Sequence, residues 1–155
     1  HYGDVKRPCR CTTRQVHQYR NRISGPLLDR IDLHVEVPAV SYADLASVQK
    51  GEPSALIRER VVRAREVQRT RFKGRGIHCN AQMRPREIQA FCRLASEAQA
   101  ILRAAIAELH FSARAYDRIL KVARTIADLA GEETIQAMHV SEAVQYRTLD
   151  RQVWV

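Results

Sequence analysis

The sequence predicts a mostly α-helical protein, a small helical bundle that follows a short helix-and-strand segment. Two observations carry this prediction. From residue 54 onward, apolar residues recur at three- and four-residue steps, the spacing of helices with one buried face. Before residue 38, a short stretch alternates apolar and polar residues, which is the period of a strand. We therefore divide the chain into a segment 1–38, a linker 39–53 and a helical domain 54–155.

Composition limits the class of protein. The chain has 155 residues, of which 45% are hydrophobic and 28% charged, as in ordinary globular domains. No apolar run approaches the ~20 residues of a membrane span, so we expect no membrane partner. Four cysteines are too few for a disulfide framework, which favours a reducing, cytoplasmic location. The net charge of +9 makes polyanions plausible partners, nucleic acid first among them.

The segment 1–38 contains two short helical pieces and one strand pattern. Thr12 or Thr13 can cap a helix that runs through Arg20, and Gly25-Pro26 should end it before a turn at Pro26–Arg30. A strand is then predicted at Ile31–Val37, with one buried face formed by Ile31, Leu33, Val35 and Val37. A lone strand cannot satisfy its backbone, so we expect its sheet to lie elsewhere, before His1, and the chain to be a piece. In the linker, only Tyr42–Leu45 suggests a helical turn.

Five helices are predicted in the helical domain. The first begins at Ser54 and ends at Gly74 and Gly76, with a buried stripe formed by Ile57, Val61, Ala64 and Phe72, and Val67 at its margin. A short helix from Arg86 contains Ile88 and Phe91. The next has a continuous apolar face made of Leu94, Ala95, Ala98, Ile101, Leu102, Ala105 and Leu109. A closing helix is predicted from Val140, with Ser141 as its cap.

The longest helical pattern of apolar residues lies between Ser112, the predicted N-cap of the helix, and Gly131, which is predicted to end it. Its inward residues are predicted to be Tyr116, Ile119, Ala123, Ile126 and Ala130. Two opposite-charge pairs at four-residue spacing, Asp117 with Lys121 and Arg124 with Asp128, should add a few tenths of a kcal/mol each.

Two arginines are candidates for phosphate chemistry. Arg30 precedes the predicted strand, where its guanidinium can project toward a neighbour; the simpler interpretation is a surface ion pair with Asp29 or Asp32. Arg114 lies in the first turn of the helix capped by Ser112, where free amides and the helix dipole already favour an anion. An arginine is electrostatically unfavourable at that end of a helix unless it binds an anion. The paired N–H donors of its guanidinium suit a phosphate.

A run of basic residues in the Ser54 helix and the loop after it predicts a nucleic-acid surface. Its proposed contacts are Arg58, Arg65, Arg69, Lys73 and Arg75. Because no aromatic residues are interleaved for base stacking, binding should be independent of sequence and steeply dependent on salt. The alternative is a solvated face of a helix whose other side packs.

The cysteines do not predict a metal site. Cys9 and Cys11 supply only two thiolates, whereas zinc needs four good ligands. Free thiols are the simpler interpretation, with Cys92 near core positions.

Three blocks of the sequence resemble the magnesium-chelatase-like branch of AAA+ ATPases, and within it the ComM/YifB group. Residues 22–37, with Leu-Leu-Asp-Arg at 27–30, look like the end of the ATPase core; residues 112–131 resemble the sensor-2 helix and residues 139–147 the closing helix. The resemblance implies that segment 1–38 is the remnant of an AAA+ core and that 54–155 is its C-terminal lid. It places Arg30 at the arginine finger, Asp29 beside it at a subunit interface, and Arg114 at sensor 2.

The resemblance also implies an activity. It points to a ring-forming motor that couples ATP hydrolysis, with Mg²⁺, to DNA remodelling such as helicase-like branch migration in natural transformation. The alternative is a chelatase-type motor subunit that remodels a partner protein for metal insertion into a porphyrin; a third possibility is a stand-alone helical interaction module. Because the family's Walker A and Walker B residues are absent from this sequence, the chain alone is predicted neither to bind ATP tightly nor to hydrolyse it.

Overall fold

The computed structural model describes Tyr2 and residues 7–37, 40–42, 46 and 51–147. The helices in these residues are α1 (Thr13–Arg20), α2 (Gly25–Leu28), α3 (Ser54–Arg71), α4 (Pro85–Phe91), α5 (Ser96–Leu109), α6 (Ala113–Ala130) and α7 (Ala137–Gln145), with a 3₁₀ turn at Asn80–Gln82. The predicted mostly helical bundle is confirmed. The predicted turn Tyr42–Leu45 and the chain end 148–155 lie largely or wholly outside the described residues.

The bundle is built around α6, which packs against α3, α4, α7 and the 3₁₀ turn. Its buried side is formed by Ala115, Ile119, Leu120, Ala123 and Ala127. Of the residues predicted to face inward, Ile119 and Ala123 are buried, whereas Tyr116 and Ala130 are exposed. The true inward face is therefore turned by about one residue toward the smaller side chains, which allow α7 close approach.

Helix ends follow the local chemistry in several places. Thr12 caps α1 by accepting a hydrogen bond from the Gln15 amide at 3.3 Å. Ser112 caps α6 by accepting from the Ala115 amide at 3.2 Å, and Gly131 ends that helix at a φ of 78°. These predicted caps are confirmed, as is the start of α3 at Ser54.

The closing helix begins earlier than predicted. It starts at Ala137, and Ser141 lies within it rather than at its cap. The reason is that the imidazole of His139 accepts a hydrogen bond from the Gln136 amide at 3.1 Å. This bond gives a partner to a backbone amide at the start of the helix, where amides have no partner within the helix. Just before it, the Ile135 amide donates to the Arg93 carbonyl at 2.9 Å and so joins the α6–α7 connection to the α4–α5 connection.

The predicted strand Ile31–Val37 does not form. Ile31, Leu33, Val35 and Val37 are 40–82% exposed, and it is His34 of the opposite parity that is buried. No strand is available to pair with this segment among the described residues, so the alternating pattern has no sheet to bury it. The segment is held instead against the end of α7, where the His34 amide donates to the Tyr146 carbonyl at 2.8 Å.

The stripe predicted for α3 is only half correct. Ala64 and Phe72 are buried, whereas Ile57, Val61 and Val67 are 43–46% exposed. Only the C-terminal half of α3 lies against α6, and there Gln68 is buried as well. The apolar face of α5 is confirmed, since none of its seven predicted residues is exposed.

Candidate functional site

Arg30 lies just after α2, on the surface of the molecule. Its side chain is exposed, and one guanidinium nitrogen, Nη1, donates to the Pro26 carbonyl at 3.1 Å. The simpler interpretation, an ion pair with Asp29 or Asp32, is not found in the structure. Both carboxylates are taken by other residues, and Arg30 forms no ion pair within the described part of the chain.

The two carboxylates beside Arg30 are bound to the helical domain. Asp29 accepts a hydrogen bond from the Ser112 hydroxyl at 2.9 Å and lies 3.7 Å from Nη2 of Arg147. Asp32 forms an ion pair with Arg118 on α6. Asp29, predicted to shape a subunit interface, thus has its carboxylate turned toward its own helical domain.

Arg114 is the second residue of α6, and its side chain is exposed. No acidic residue lies in that first turn to balance the positive end of the helix. The Ser112 hydroxyl joins this turn to the Arg30 loop, because it caps the Ala115 amide and donates to Asp29. The two predicted arginines are therefore brought to neighbouring parts of the surface.

Sequence reasoning missed Arg118 and Arg147. Arg147 is 99% buried, and besides its approach to Asp29 it donates to the Ile31 carbonyl. Arg118 is one helical turn beyond Arg114, so the four-residue spacing of the two arginines was a readable signal. Their partners are 86 and 116 positions away in the sequence, which no local pattern reveals.

The basic residues of α3 divide into outward and inward groups. Arg58, Lys73 and Arg75 are exposed, Arg65 is half-buried and donates to Gln68 at 2.9 Å, and Arg69 is exposed and paired with Glu66. Arg75 also lies over the Phe91 ring, 5.2 Å from its centroid. Exposed pairs such as Arg69–Glu66 contribute little and can be exchanged for a phosphate contact. These five residues extend from the second turn of α3 to the loop that follows it.

Arg71 belongs to the same run but faces inward. Its guanidinium binds Asp128 on α6 with two hydrogen bonds, one of them 2.7 Å long, and also donates to Asn80 at 2.9 Å. Asp128 accepts as well from Nε of Arg124 at 3.0 Å. The predicted Arg124–Asp128 pair is thus confirmed, but as part of a buried network; burial lowers the pKa of Arg124. The predicted partner of Asp117, Lys121, donates instead to the Ala81 carbonyl.

The cysteines differ in environment. Cys11 is exposed and Cys9 half-buried; a hydrogen bond from the Cys11 backbone lowers the pKa of Cys9, whereas the Cys9 side chain raises that of Cys11. Cys92 lies in the core as predicted, and burial raises its pKa to about 12. In residues 7–37 and 51–147 no three metal-binding side chains of His, Cys, Asp or Glu come together.

No helix in the described residues is long and apolar enough to cross a bilayer.

Comparisons with known proteins place the chain in a family. Residues 51–147 match the family model described as magnesium chelatase, subunit ChlI C-terminal, and residues 1–45 match that of magnesium chelatase, subunit ChlI. The chain belongs to this magnesium-chelatase-like family. The resemblance to its ComM/YifB group is confirmed by individual relatives.

Among these relatives, the competence protein ComM of Haemophilus influenzae is 43% identical over 92% of this chain and 27% of its own length. The uncharacterized protein YifB of Escherichia coli is 46% identical over 92% of this chain and 28% of its own length. An uncharacterized protein of Mycobacterium tuberculosis is 34% identical over 90% of this chain and 27% of its own length. The chain thus spans about a quarter of the curated relatives that it matches.

Proposed function

We propose that this chain is the lid-bearing part of a ring-forming AAA+ ATPase that uses ATP and Mg²⁺ to remodel DNA in the cytoplasm. In this proposal Arg30 is the arginine finger for the nucleotide of the neighbouring subunit, and Arg114 is the sensor-2 arginine for the nucleotide of its own subunit. The observation that supports it most is that Arg30 is exposed and forms no ion pair among the described residues, although Asp29 and Asp32 flank it.

The chemistry of phosphoryl transfer explains why two arginines would be needed. Charge spreads over the oxygens of the transferred phosphoryl group, and catalysis consists mainly of positioning and neutralising that charge. A guanidinium supplied from another subunit makes hydrolysis depend on ring assembly. ATP and Mg²⁺ would be held by a pocket outside this sequence, which contains no phosphate-binding glycine loop.

Mixed rings test both assignments. In the full-length protein, Arg30→Ala should lower kcat by about 10³-fold, the smaller effect known for arginine fingers. Mixing Arg30→Ala subunits with subunits that cannot bind nucleotide should restore hydrolysis, because an intact finger then faces an intact pocket. The same mixture made with Arg114→Ala should stay inactive, since no subunit has both its pocket and its own Arg114. Wild-type hydrolysis by the Arg30→Ala ring would contradict the proposal.

The basic surface of α3 supports DNA as the substrate, together with the competence role in the name of the Haemophilus relative. Helicase-like branch migration is the specific form of remodelling that we propose. The residues proposed to contact DNA can bind successive phosphates of the backbone without recognising bases; they are Arg58, Arg65, Arg69, Lys73 and Arg75.

The chain itself allows a direct test of DNA binding. Fluorescence anisotropy with single-stranded and branched DNA should show that Arg65→Glu/Arg69→Glu weakens binding at least about tenfold. Loss of two phosphate contacts should also reduce the salt slope on single strands by about 1.4. The control is Arg86→Glu/Arg103→Glu, which changes the net charge equally at two exposed arginines outside α3. Equal weakening by both doubles would show a general charge effect and no defined surface.

A second candidate function is a chelatase-type motor that remodels a partner protein for metal insertion into a porphyrin. It is favoured by the magnesium chelatase description of both matching family models. Hydrolysis that is stimulated by a partner protein and unaffected by DNA would select this candidate over the first.

A further inference from the structure

The loop that carries Arg30 is fixed to the helical domain on both sides of that residue. On one side, Asp29 accepts from Ser112 at 2.9 Å and lies near the buried guanidinium of Arg147. On the other, Asp32 pairs with Arg118, and the Ile31 carbonyl accepts from Arg147. We name this set of contacts the arginine clamp; it consists of Ser112, Arg118 and Arg147 together with Asp29 and Asp32.

The clamp has an electrostatic consequence for Arg30. A guanidinium with carboxylates one residue before it and two residues after it would ordinarily pair with them and fold back on its own loop. Here both carboxylates are already engaged by cations or a hydroxyl from the helical domain. Among the residues that the structure describes, Arg30 has a hydrogen bond only to the Pro26 carbonyl, so most of its donors remain available to an external anion.

The clamp also has a mechanical consequence. Ser112 and Arg118 flank Arg114 on α6, one at the cap and the other a turn further on. The Arg30 loop is therefore attached to the same two turns of helix that present Arg114. A movement of α6 would carry both arginines with it.

We infer that Ser112, Arg118 and Arg147 are positioning residues, which bind Asp29 and Asp32 so that Arg30 stays exposed and unpaired with these carboxylates and moves together with Arg114. This inference rests on the proposed function, because it assigns a role in presenting Arg30 to a nucleotide. In this inference, Asp29 anchors the Arg30 loop to the helical domain of its own chain.

The Asp32–Arg118 pair is the best part of the clamp to test, because both side chains are partly exposed, 42% and 31%, and their replacement should not prevent folding. In the full-length ring, Asp32→Lys and Arg118→Glu should each lower kcat for ATP hydrolysis about 10- to 100-fold, as expected when a catalytic group is misplaced by about 1 Å. KM for ATP should stay unchanged, since the pocket is elsewhere. The double exchange Asp32→Lys/Arg118→Glu restores the pair and should return kcat to within about threefold of wild type.

Controls separate this inference from the proposed function. Arg103→Glu makes the same charge change at an exposed arginine of α5 and should leave kcat unchanged. Circular dichroism should show that each variant is folded. If Arg30→Ala abolishes hydrolysis while the Asp32 and Arg118 variants keep wild-type kcat, the clamp is wrong and the proposed function stands. If the single variants lose activity and the double exchange does not recover it, the clamp is also overturned. If the Arg30→Ala ring itself hydrolyses ATP at the wild-type rate, the proposed function is wrong, and the inference that rests on it is overturned as well.

Discussion

Removal of the Asp128 carboxylate should strongly destabilise the helical domain. The side chain is fully buried and accepts hydrogen bonds from Arg71, Arg124, Asn80 and Gln68. In Asp128→Ala, Arg124 keeps the carbonyls of Glu132 and Glu133 but loses the negative charge that balances it at 1% exposure. Breaking a buried ion pair from one side costs about 3–5 kcal/mol, because the remaining charge stays desolvated.

That magnitude is large compared with the stability of a domain. A typical free energy of unfolding is about 5–15 kcal/mol, so Asp128→Ala would remove at least about a fifth of it. With a urea m-value of about 2 kcal/mol per M, the unfolding midpoint should fall by about 2 M.

The assay is urea unfolding of the chain, followed by circular dichroism at 222 nm. The matched control is Asp117→Ala, which removes the same group from the same helix at a more exposed position and should change stability by less than about 0.5 kcal/mol. A loss below about 1 kcal/mol in Asp128→Ala would refute the view that this carboxylate balances Arg124 and Arg71. Equal losses in both variants would point to a general effect of carboxylates on α6.

Two further predictions concern a glycine and a thiol. Gly131→Ala should destabilise the chain by about 1–2 kcal/mol in the same assay, because the residue ends α6 at a φ of 78°, where a side chain strains the backbone. No residue other than the adjoining ones lies within 4 Å of the new methyl group, so no clash is added. An unchanged midpoint would contradict this prediction. For Cys92, the folded pKa of about 12 lies above the reference value of 9.0, so the contribution of this thiol to stability should be constant below about pH 9 and fall as the pH rises further. Urea midpoints measured from pH 7 to pH 10.5 should show this fall in wild type and a smaller one in Cys92→Ala; identical falls would assign it to other groups.

The sequence was sufficient to predict those features of the structure that depend on residues a few positions apart. Hydroxyls at Thr12 and Ser112 cap the helices that follow them, and Gly131 ends α6, because each of these residues acts on amides or dihedral angles within a few positions. The apolar face of α5 was equally readable, since its period is that of the helix itself.

The sequence was insufficient to predict features that depend on contacts between distant parts of the chain. Period-two alternation at Ile31–Val37 predicts a strand only if a neighbouring strand is present to pair with it, and none is found among the described residues. The exposed positions of Ile57 and Val61 follow from how far α3 extends beyond α6, which periodicity does not encode. Likewise, Arg118 could have been noticed on the face of Arg114, but its pairing with Asp32 depends on how the Arg30 loop lies against the bundle.

The attachments at the two ends of α6 have a consequence for how signals could pass through the protein. Its first turns hold the Arg30 loop through Ser112 and Arg118, whereas its last turns hold the basic helix α3 through Asp128. At about 1.5 Å per residue, Arg114 and Asp128 are about 21 Å apart along the axis, so a tilt of about 10° around one end displaces the other by nearly 4 Å. Under the proposed function, a small rotation of α6 that DNA imposes through α3 would therefore displace Arg30 and Arg114 by more than the length of a hydrogen bond.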